Sequence, residues 1–232
     1  MTLVSKAMLI DTLQSKRDNN TIANALREVS LTPLSPIDIA VILRQLDFPI
    51  NEIAIALHKH FSTLDSLDIG QMLLEPKVYP TTTRKELVAA LGEAGFETQE
   101  AELAANILYP VTMYVFADQP WQNSNMTVHT SQTTTITYLS GTWSFNPQYS
   151  DCKAEGNSAH IAQEDYALPN KPVGALVGRI GETVFLIGRE ANVPSGLSGE
   201  LQLCINDDLK GRYGAGLTDN KGKLEVKIST RK

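Results

Sequence analysis

In the first hundred or so residues, hydrophobic positions recur at the spacing of one face of an α-helix. Two segments carry helix-start signals. Ser35-Pro36-Ile37-Asp38 supplies a cap residue, a proline at the first helical position and an acid in the first turn. Thr83-Arg84-Lys85-Glu86 has the pattern of a capping box. Thr21 to Val29 adds a further apolar stripe. We therefore expect an N-terminal α-helical bundle over residues 1–109.

Two parts of this helical half resemble each other. Ile42 to Ile53 and Ala90 to Ala101 share an apolar pattern, with Phe48 and Phe96 at equivalent positions after the first helix. Two helix pairs that bury their apolar stripes against each other are predicted. Such stripes are usually core, and the alternative is a module for oligomerisation or for docking a partner.

After Tyr109-Pro110 the pattern changes to the alternation of half-buried β-strands. The predicted strands are Val111 to Phe116, Met126 to His129, Thr133 to Leu139, Gly174 to Ile180, Val184 to Ile187, Glu200 to Ile205 and Lys223 to Ile228. Many short strands predict a β-sandwich or jelly roll over residues 110–232. The predicted fold class is therefore α+β, as two domains. Alternation also places Cys204 on the outer face of its strand, beside Glu200 and Gln202.

Length, composition and charge are consistent with a two-domain globular protein and narrow its partners and location. The 232 residues suffice for two domains, and 42% hydrophobic with 20% charged residues is typical of a globular protein. A net charge of -6 argues against nucleic acid or an anionic membrane as the main partner. No apolar run is long enough for a transmembrane segment. The N-terminus lacks the apolar core of a signal peptide, so we expect a cytoplasmic protein, or one secreted without a classical signal. Two cysteines are too few for a disulfide framework, and a bridge between Cys152 and Cys204 stays open.

The candidate chemistry lies between the last two predicted strands. The loop from Asn206 to Gly222 holds four glycines and five Asp or Asn residues in seventeen positions. Such a loop can direct several oxygens to one point, and calcium takes six to eight oxygen ligands. The spacing is not that of an EF-hand. From composition alone, the loop is either a calcium site or a solvated turn.

Several segments of the β half together resemble the calcium-dependent galactophilic bacterial lectins of the PA-I type, over roughly residues 111–228. The segments that carry the resemblance are Trp143-Ser144-Phe145-Asn146-Pro147, Gly174-Ala175-Leu176-Val177-Gly178-Arg179-Ile180-Gly181, Asn206-Asp207, and Asp219-Asn220 with the strand that follows. The resemblance implies a small jelly-roll sandwich, of the galactose-binding-domain-like kind, in which one calcium ion binds two hydroxyls of a galactose.

The resemblance also implies site residues. The calcium ligands would be the side chains of Asp207, Asp219 and Asn220 and the backbone carbonyls of Phe145 and Gly216. The sugar would contact His160 and Gln163, together with Asp207 and Asn220. Two features depart from the family pattern. The loop between Asp207 and Asp219 is several residues longer, and Asp219 stands where the family has an asparagine. The extra length could carry Asp208, Arg212 or Tyr213 into the sugar site.

The sequence therefore predicts a lectin that uses Ca²⁺, with galactose-containing glycans as partners and homo-oligomerisation for avidity. We expect no enzyme activity, since the familiar hydrolase, metalloprotease and nucleotide-binding motifs are absent. The alternative is a toxin-like or assembly protein, whose helical half engages a partner or membrane and whose sandwich is structural or targeting. A third, weaker alternative is the binding module of a carbohydrate-active enzyme.

Overall fold

The structure, a computed structural model, describes residues 34–232, so the predicted helix over Thr21 to Val29 lies outside the described residues. The chain divides into two compact units between Leu108 and Tyr109. Among the described residues, no helix combines the length and apolar character that crossing a bilayer requires.

The described part of the first unit is helical. Its five helices are α1 (Pro36–Gln45), α2 (Ile50–His60), α3 (Ser66–Leu73), α4 (Arg84–Glu93) and α5 (Thr98–Leu108). The capping box predicted at Thr83 forms, and the predicted cap residue Ser35 forms one as well. The side chains of Ser35 and Thr83 accept from the backbone N–H of Asp38 and Glu86, whose carboxylates accept from the backbone N–H of the two cap residues. The short helix α3 was not predicted, and it too begins with a capping box.

The internal repeat is visible in how α1 and α4 end. After each helix, one residue takes a positive φ, 61° at Asp47 and 102° at Gly95. The backbone N–H of the following phenylalanine, Phe48 or Phe96, then donates over 3.2 Å to the carbonyl five residues earlier. This is the hydrogen bond of a Schellman cap. The two helix pairs therefore share the same turn.

The second unit is built from antiparallel strands. Within the described residues these are β1 (Val111–Phe116), β2 (Gln122–Val128), β3 (Thr133–Ser144), β4 (Glu155–Ile161), β5 (Pro172–Ile180), β6 (Thr183–Leu186), β7 (Glu190–Asn192), β8 (Gly199–Ile205) and β9 (Lys221–Arg231). One sheet has the order β1-β9-β3-β7, and the other has the order β2-β8-β5-β4, with β6 also paired to β5.

Both sheets contribute to one hydrophobic core, so the second unit is a β-sandwich, as predicted. The first sheet contributes Ile136 and Val226, and the second contributes Leu176 and Leu203, all fully buried. Trp143 is buried between them, and its Nε1–H donates over 2.7 Å to the carbonyl of Gly174. This indole bond joins the end of β3 to the start of β5, where the cavity described below is found.

The prediction for Cys204 is wrong: its side chain is fully buried, not on an exposed outer face. The alternation of β8 holds, but the segment that precedes β2 covers this part of the sheet, and the Cys204 thiol lies 3.7 Å from the carbonyl oxygen of Gln119. Cys152 and Cys204 are both free thiols and do not form a bridge.

Candidate functional site

A cavity of about 240 Å³ opens at one end of the sandwich. It lies where β3, β4 and β8 end and where β5 and β9 begin. Phe145 reaches it directly after β3, His160 lies within β4, and Asp207 follows β8. The antiparallel pairing therefore brings together segments that are far apart in the chain.

Six of the seven predicted site residues line this cavity: Phe145, His160, Gln163, Asp207, Gly216 and Asp219. The seventh, Asn220, does not line it but lies against Asp207, with its side chain buried. The structure thus places the whole predicted set in one region of the second unit. It also adds residues that were not predicted, among them Tyr149 and Tyr166.

Asn206 fixes the position of Asp207. The side chain of Asn206 is fully buried, accepts from the N–H of Leu168 over 2.8 Å, and donates over 3.0 Å to the carbonyls of Leu168 and Pro172. The carbonyl of Asp207 accepts from the N–H of Ala167 over 3.0 Å. These bonds tie the end of β8 to the connection between β4 and β5, so Asp207 is held by a rigid backbone.

The carboxylate of Asp207 is buried, with only 5% of the residue exposed. One oxygen accepts from the N–H of Asp208 over 2.7 Å, and the other accepts from the amide of Asn220 over 2.8 Å. Burial raises the pKa of Asp207 to about 6, although both hydrogen bonds oppose this change, and the charges of Asp219 and Asp208 raise the pKa further. Asp207 is therefore a buried carboxylate whose charge is only partly compensated.

The buried amide of Asn220 has one polar atom without a partner among the described residues. Its nitrogen donates to Oδ2 of Asp207 and, over 3.1 Å, to the carbonyl of Ala117. Its oxygen Oδ1 is buried and accepts no hydrogen bond from any of them. Turning the amide around would place this oxygen against two acceptors, so the network fixes its orientation. A buried acceptor left in this way costs free energy, and a bound cation or water would remove that cost.

The charges around the cavity are of one sign. Asp207, Asp208 and Asp219 line it, and no lysine or arginine is found among its described lining residues. The pKa of Tyr166 is raised, mainly by burial and then by the negative charges of Asp207 and Asp208. The cavity therefore favours a cation.

The carboxylate, amide and carbonyl oxygens at the cavity are donors of the kind that calcium binds in proteins. Within residues 34–232, no three His, Cys, Asp or Glu side chains form a group that could hold a metal ion. A cation here would need neutral oxygens as well as carboxylates, and calcium accepts amide and backbone carbonyl oxygens readily. Oδ1 of Asn220, which has no partner within residues 34–232, is such an oxygen. The residues present therefore fit calcium.

The loop from Asp208 to Asp219 is held by Asp208. This buried carboxylate accepts from the N–H of Lys210 over 3.2 Å and from the N–H of Tyr213 over 2.6 Å. Gly216 has a φ of 59°, and a Cβ there would meet the carbonyl oxygen of Asp208 at 2.8 Å. Glycine is therefore required where the loop turns back into the short 3₁₀ helix Gly216–Asp219.

Aromatic side chains cover two parts of the cavity. On one part, the ring of Tyr149 stacks on Phe145 at 5.5 Å and tilts against His160 at 4.2 Å. On another part, Tyr166 and Tyr213 stack at 5.9 Å. Of the three loop residues considered from the sequence, Asp208 and Tyr213 line the cavity. Arg212 instead forms an ion pair with Asp165 over 2.8 Å.

No protein-family model matches the chain, and no curated protein matches it. Among solved structures, the chain is similar to the EclA N-terminal domain, described as a PllA-like lectin. The two are 20% identical, the match covers 52% of this chain and 96% of that chain, and the TM-score is 0.40. At this identity and TM-score the similarity does not establish a family, so the function has to be inferred from the cavity.

Proposed function

We propose that the β-sandwich is a lectin domain that binds a terminal, galactose-like sugar through a calcium ion. The observation that carries this proposal is the cavity itself. It gathers Phe145, His160, Gln163, Asp207 and Asp219 from separate segments. Asp207 accepts from the amide of Asn220, whose oxygen has no partner among the described residues. These are the positions at which the resemblance to PA-I type lectins expects a calcium ion and a sugar.

Five residues would hold the ion. Asp207 and Asp219 would provide carboxylates, Asn220 its amide oxygen, and Phe145 and Gly216 their backbone carbonyls. The two carboxylates would offset most of the charge of the ion. When bound, calcium supplies a large and flexible coordination shell in which two sugar hydroxyls can replace water.

His160 and Gln163 would orient the sugar. His160 is held in place by its ring contacts with Tyr149 and Phe145, at 4.2 Å and 6.1 Å between centroids. Gln163 follows β4 and is exposed at the cavity. An imidazole and an amide can both donate to and accept from a sugar hydroxyl, which gives orientation without requiring a charge.

The architecture of the two units is also proposed in more detail. We infer a jelly-roll sandwich, of the galactose-binding-domain-like kind, over residues 110–232 and a separate helical bundle domain over residues 1–109. We also propose that the protein acts by binding and not as an enzyme. Homo-oligomerisation would raise its avidity for clustered glycans, because single sugar sites are weak.

Thermal unfolding with calcium and with a chelator tests the proposal. A ligand that binds only the native state raises the melting temperature, by roughly 5–10 °C at a hundred times the Kd for a unit of this size. We expect this shift in the wild type and in Glu182→Ala, an exposed acid at the opposite end of β5 from the cavity, and no shift in Asp207→Ala. A glycan array probed with calcium present should then report galactose-terminated glycans. No shift and no glycan would leave the toxin-like or assembly alternative.

A further inference from the structure

Tyr213 lies at the open side of the cavity, on the loop that is longer than in the PA-I type lectins. It lines the cavity, yet 50% of the residue is exposed. A large aromatic ring that is half exposed beside a polar cavity offers an apolar face to a ligand that extends outwards.

Three contacts fix the position of Tyr213, one each through its backbone, its ring and its hydroxyl. Its backbone N–H donates over 2.6 Å to the buried carboxylate of Asp208. Its ring stacks on Tyr166 with an interplanar angle of 30°. Its hydroxyl donates over 3.4 Å to Asp165, whose carboxylate also pairs with Arg212. The loop therefore presents Tyr213 in a defined orientation, so little ordering is needed when a ligand binds.

We propose that the exposed face of Tyr213, whose other face stacks on Tyr166, is a platform for the second sugar ring of a galactose-terminated oligosaccharide. This inference rests on the proposed function, in which the terminal galactose occupies the calcium end of the cavity.

The size of the cavity supports this assignment. At about 240 Å³ it is smaller than the pockets of roughly 300 Å³ or more that enclose drug-sized ligands. It therefore suits one sugar ring and not a whole oligosaccharide. A second ring would lie outside the enclosed volume, where the exposed ring of Tyr213 is found.

The chemistry of the rim fits a sugar ring. One face of a pyranose presents C–H groups, which pack on an aromatic face, and its edges carry hydroxyls. Arg212 and Asp165 lie beside Tyr213, and their side chains are 61% and 29% exposed. The guanidinium has donors beyond the one that pairs with Asp165, so both groups can serve hydroxyls at the edge of the ring.

Substitution of Tyr213 tests the second-ring contact separately from the proposed galactose site. Tyr149, the other exposed tyrosine of the cavity, packs on Phe145 and His160, so its removal would disturb the proposed galactose site as well. The ring contact of Tyr213 is with Tyr166. Substituting Tyr213 should therefore affect the second ring and leave the first.

The experiment compares galactose with lactose and melibiose, which join galactose to a second ring by a β or an α linkage. Calorimetric titrations are made with calcium present on the wild type, Tyr213→Ala, Tyr213→Phe and the control Tyr114→Ala, a tyrosine on β1 of similar exposure at 48%. We expect the wild type to bind at least one disaccharide roughly three- to tenfold more tightly than galactose, the range that one aromatic contact supplies. Tyr213→Ala should lose this gain and keep its affinity for galactose, whereas Tyr213→Phe and Tyr114→Ala should retain both.

The outcomes separate the two claims. Galactose binding with no gain for either disaccharide, or a gain that survives in Tyr213→Ala, would overturn the platform and leave the proposed function intact. A wild type that binds no galactose would overturn the proposed function, and the platform with it. Saturation-transfer NMR gives an independent readout, because protons of the second ring should receive saturation from the wild type and not from Tyr213→Ala.

Discussion

The amide nitrogen of Asn220 lies 2.8 Å from Oδ2 of Asp207 and donates a hydrogen bond to it. The bond joins the residue before β9 to the residues after β8, so it closes the base of the long loop between these strands. It also fixes the amide so that its oxygen is left buried without a partner in the described part of the chain. One contact therefore stabilises the loop and fixes the amide oxygen that we propose as a calcium ligand.

Asn220→Ala should lower the unfolding free energy without calcium and should also remove the stabilisation that calcium provides. In chelator, the substitution removes the donor to Oδ2 of Asp207 and to the carbonyl of Ala117, which should cost about 1–3 kcal/mol of unfolding free energy. With calcium, the stabilisation seen in the wild type should also be lost, because one proposed ligand is gone. Denaturant unfolding under both conditions measures each effect. The matched control is Asn192→Ala on the edge strand β7, which removes an amide oxygen that accepts from the hydroxyl of Thr135 on β3. Its calcium response should equal that of the wild type. A full calcium response in Asn220→Ala would exclude Asn220 as a ligand.

The raised pKa of Asp207 predicts how calcium binding depends on pH. Calcium needs the carboxylate, and a proton competes for it with a pKa of about 6. Calcium affinity should therefore rise roughly fivefold from pH 5 to pH 6 and become nearly constant above pH 7. Calorimetric titration of calcium at these pH values measures the change. Affinity that stays constant from pH 5 to pH 7 would show that Asp207 is not a ligand.

Without calcium, the same pKa shift predicts the opposite trend for stability. The folded pKa lies above the ordinary value of 3.8, so the folded state takes up a proton more readily than the unfolded chain does. This contribution is full below about pH 4 and is lost as the pH rises through about 6, and its size is on the order of 3 kcal/mol. Denaturant unfolding in chelator should show Asp207→Ala losing this pH dependence.

His160 and Gln163 should contribute to sugar affinity alone. His160→Ala and Gln163→Ala should each weaken galactose binding about tenfold, which corresponds to one hydrogen bond. The shift in melting temperature caused by calcium should not change, because neither side chain is a proposed ligand. Ser158→Ala, on the same strand two residues before His160, is the control and should leave both properties unchanged. If His160→Ala removed the calcium response, the division between ion and sugar residues would be wrong.

Gly174 should be required for packing next to the site. Its φ is 76°, and a Cβ there would meet the thiol of Cys152 and the ring of Phe145 at 2.8 Å each. Gly174→Ala should therefore cost about 2–4 kcal/mol and weaken galactose binding through displacement of Phe145. Gly181 also has a positive φ, 56°, but a Cβ there would meet none of the described atoms within 4 Å, so Gly181→Ala should cost only about 1 kcal/mol of backbone strain. Equal unfolding midpoints for the two variants would contradict the packing argument.

The strands that carry a clear apolar pattern could be predicted from the sequence, and those that carry none were missed. β1 was predicted with its observed bounds, and β5 to within two residues. β4 was not predicted, because Glu155–Ile161 is polar and mostly exposed or half-buried, so it has no apolar face to produce a pattern. β7 was also missed, since three residues are too few to show a period.

The residues of the candidate site could likewise be predicted only in part. The resemblance to the PA-I type lectins implied Asp207, Asp219 and Asn220, and the segments that carry it there lie next to strands that the pattern predicts. Tyr149 and Tyr166 were not suggested, since their place at the cavity depends on β4 and on the connection from β4 to β5, which no local pattern indicates. The prediction that Cys204 lies on an exposed face was wrong for a related reason. The alternation of a strand shows which residues share a face but not what covers that face.

Calorimetric titration of galactose into the protein, once with calcium and once after chelation, shows whether the β-sandwich binds galactose through calcium. If the sugar is bound through an ion held by Asp207, Asp219 and Asn220, heat of binding should appear with calcium, vanish after chelation and return when calcium is restored. Asp207→Ala should show no heat under either condition. Galactose binding of equal strength with and without calcium, or its absence from a calcium-loaded wild type, would contradict the account.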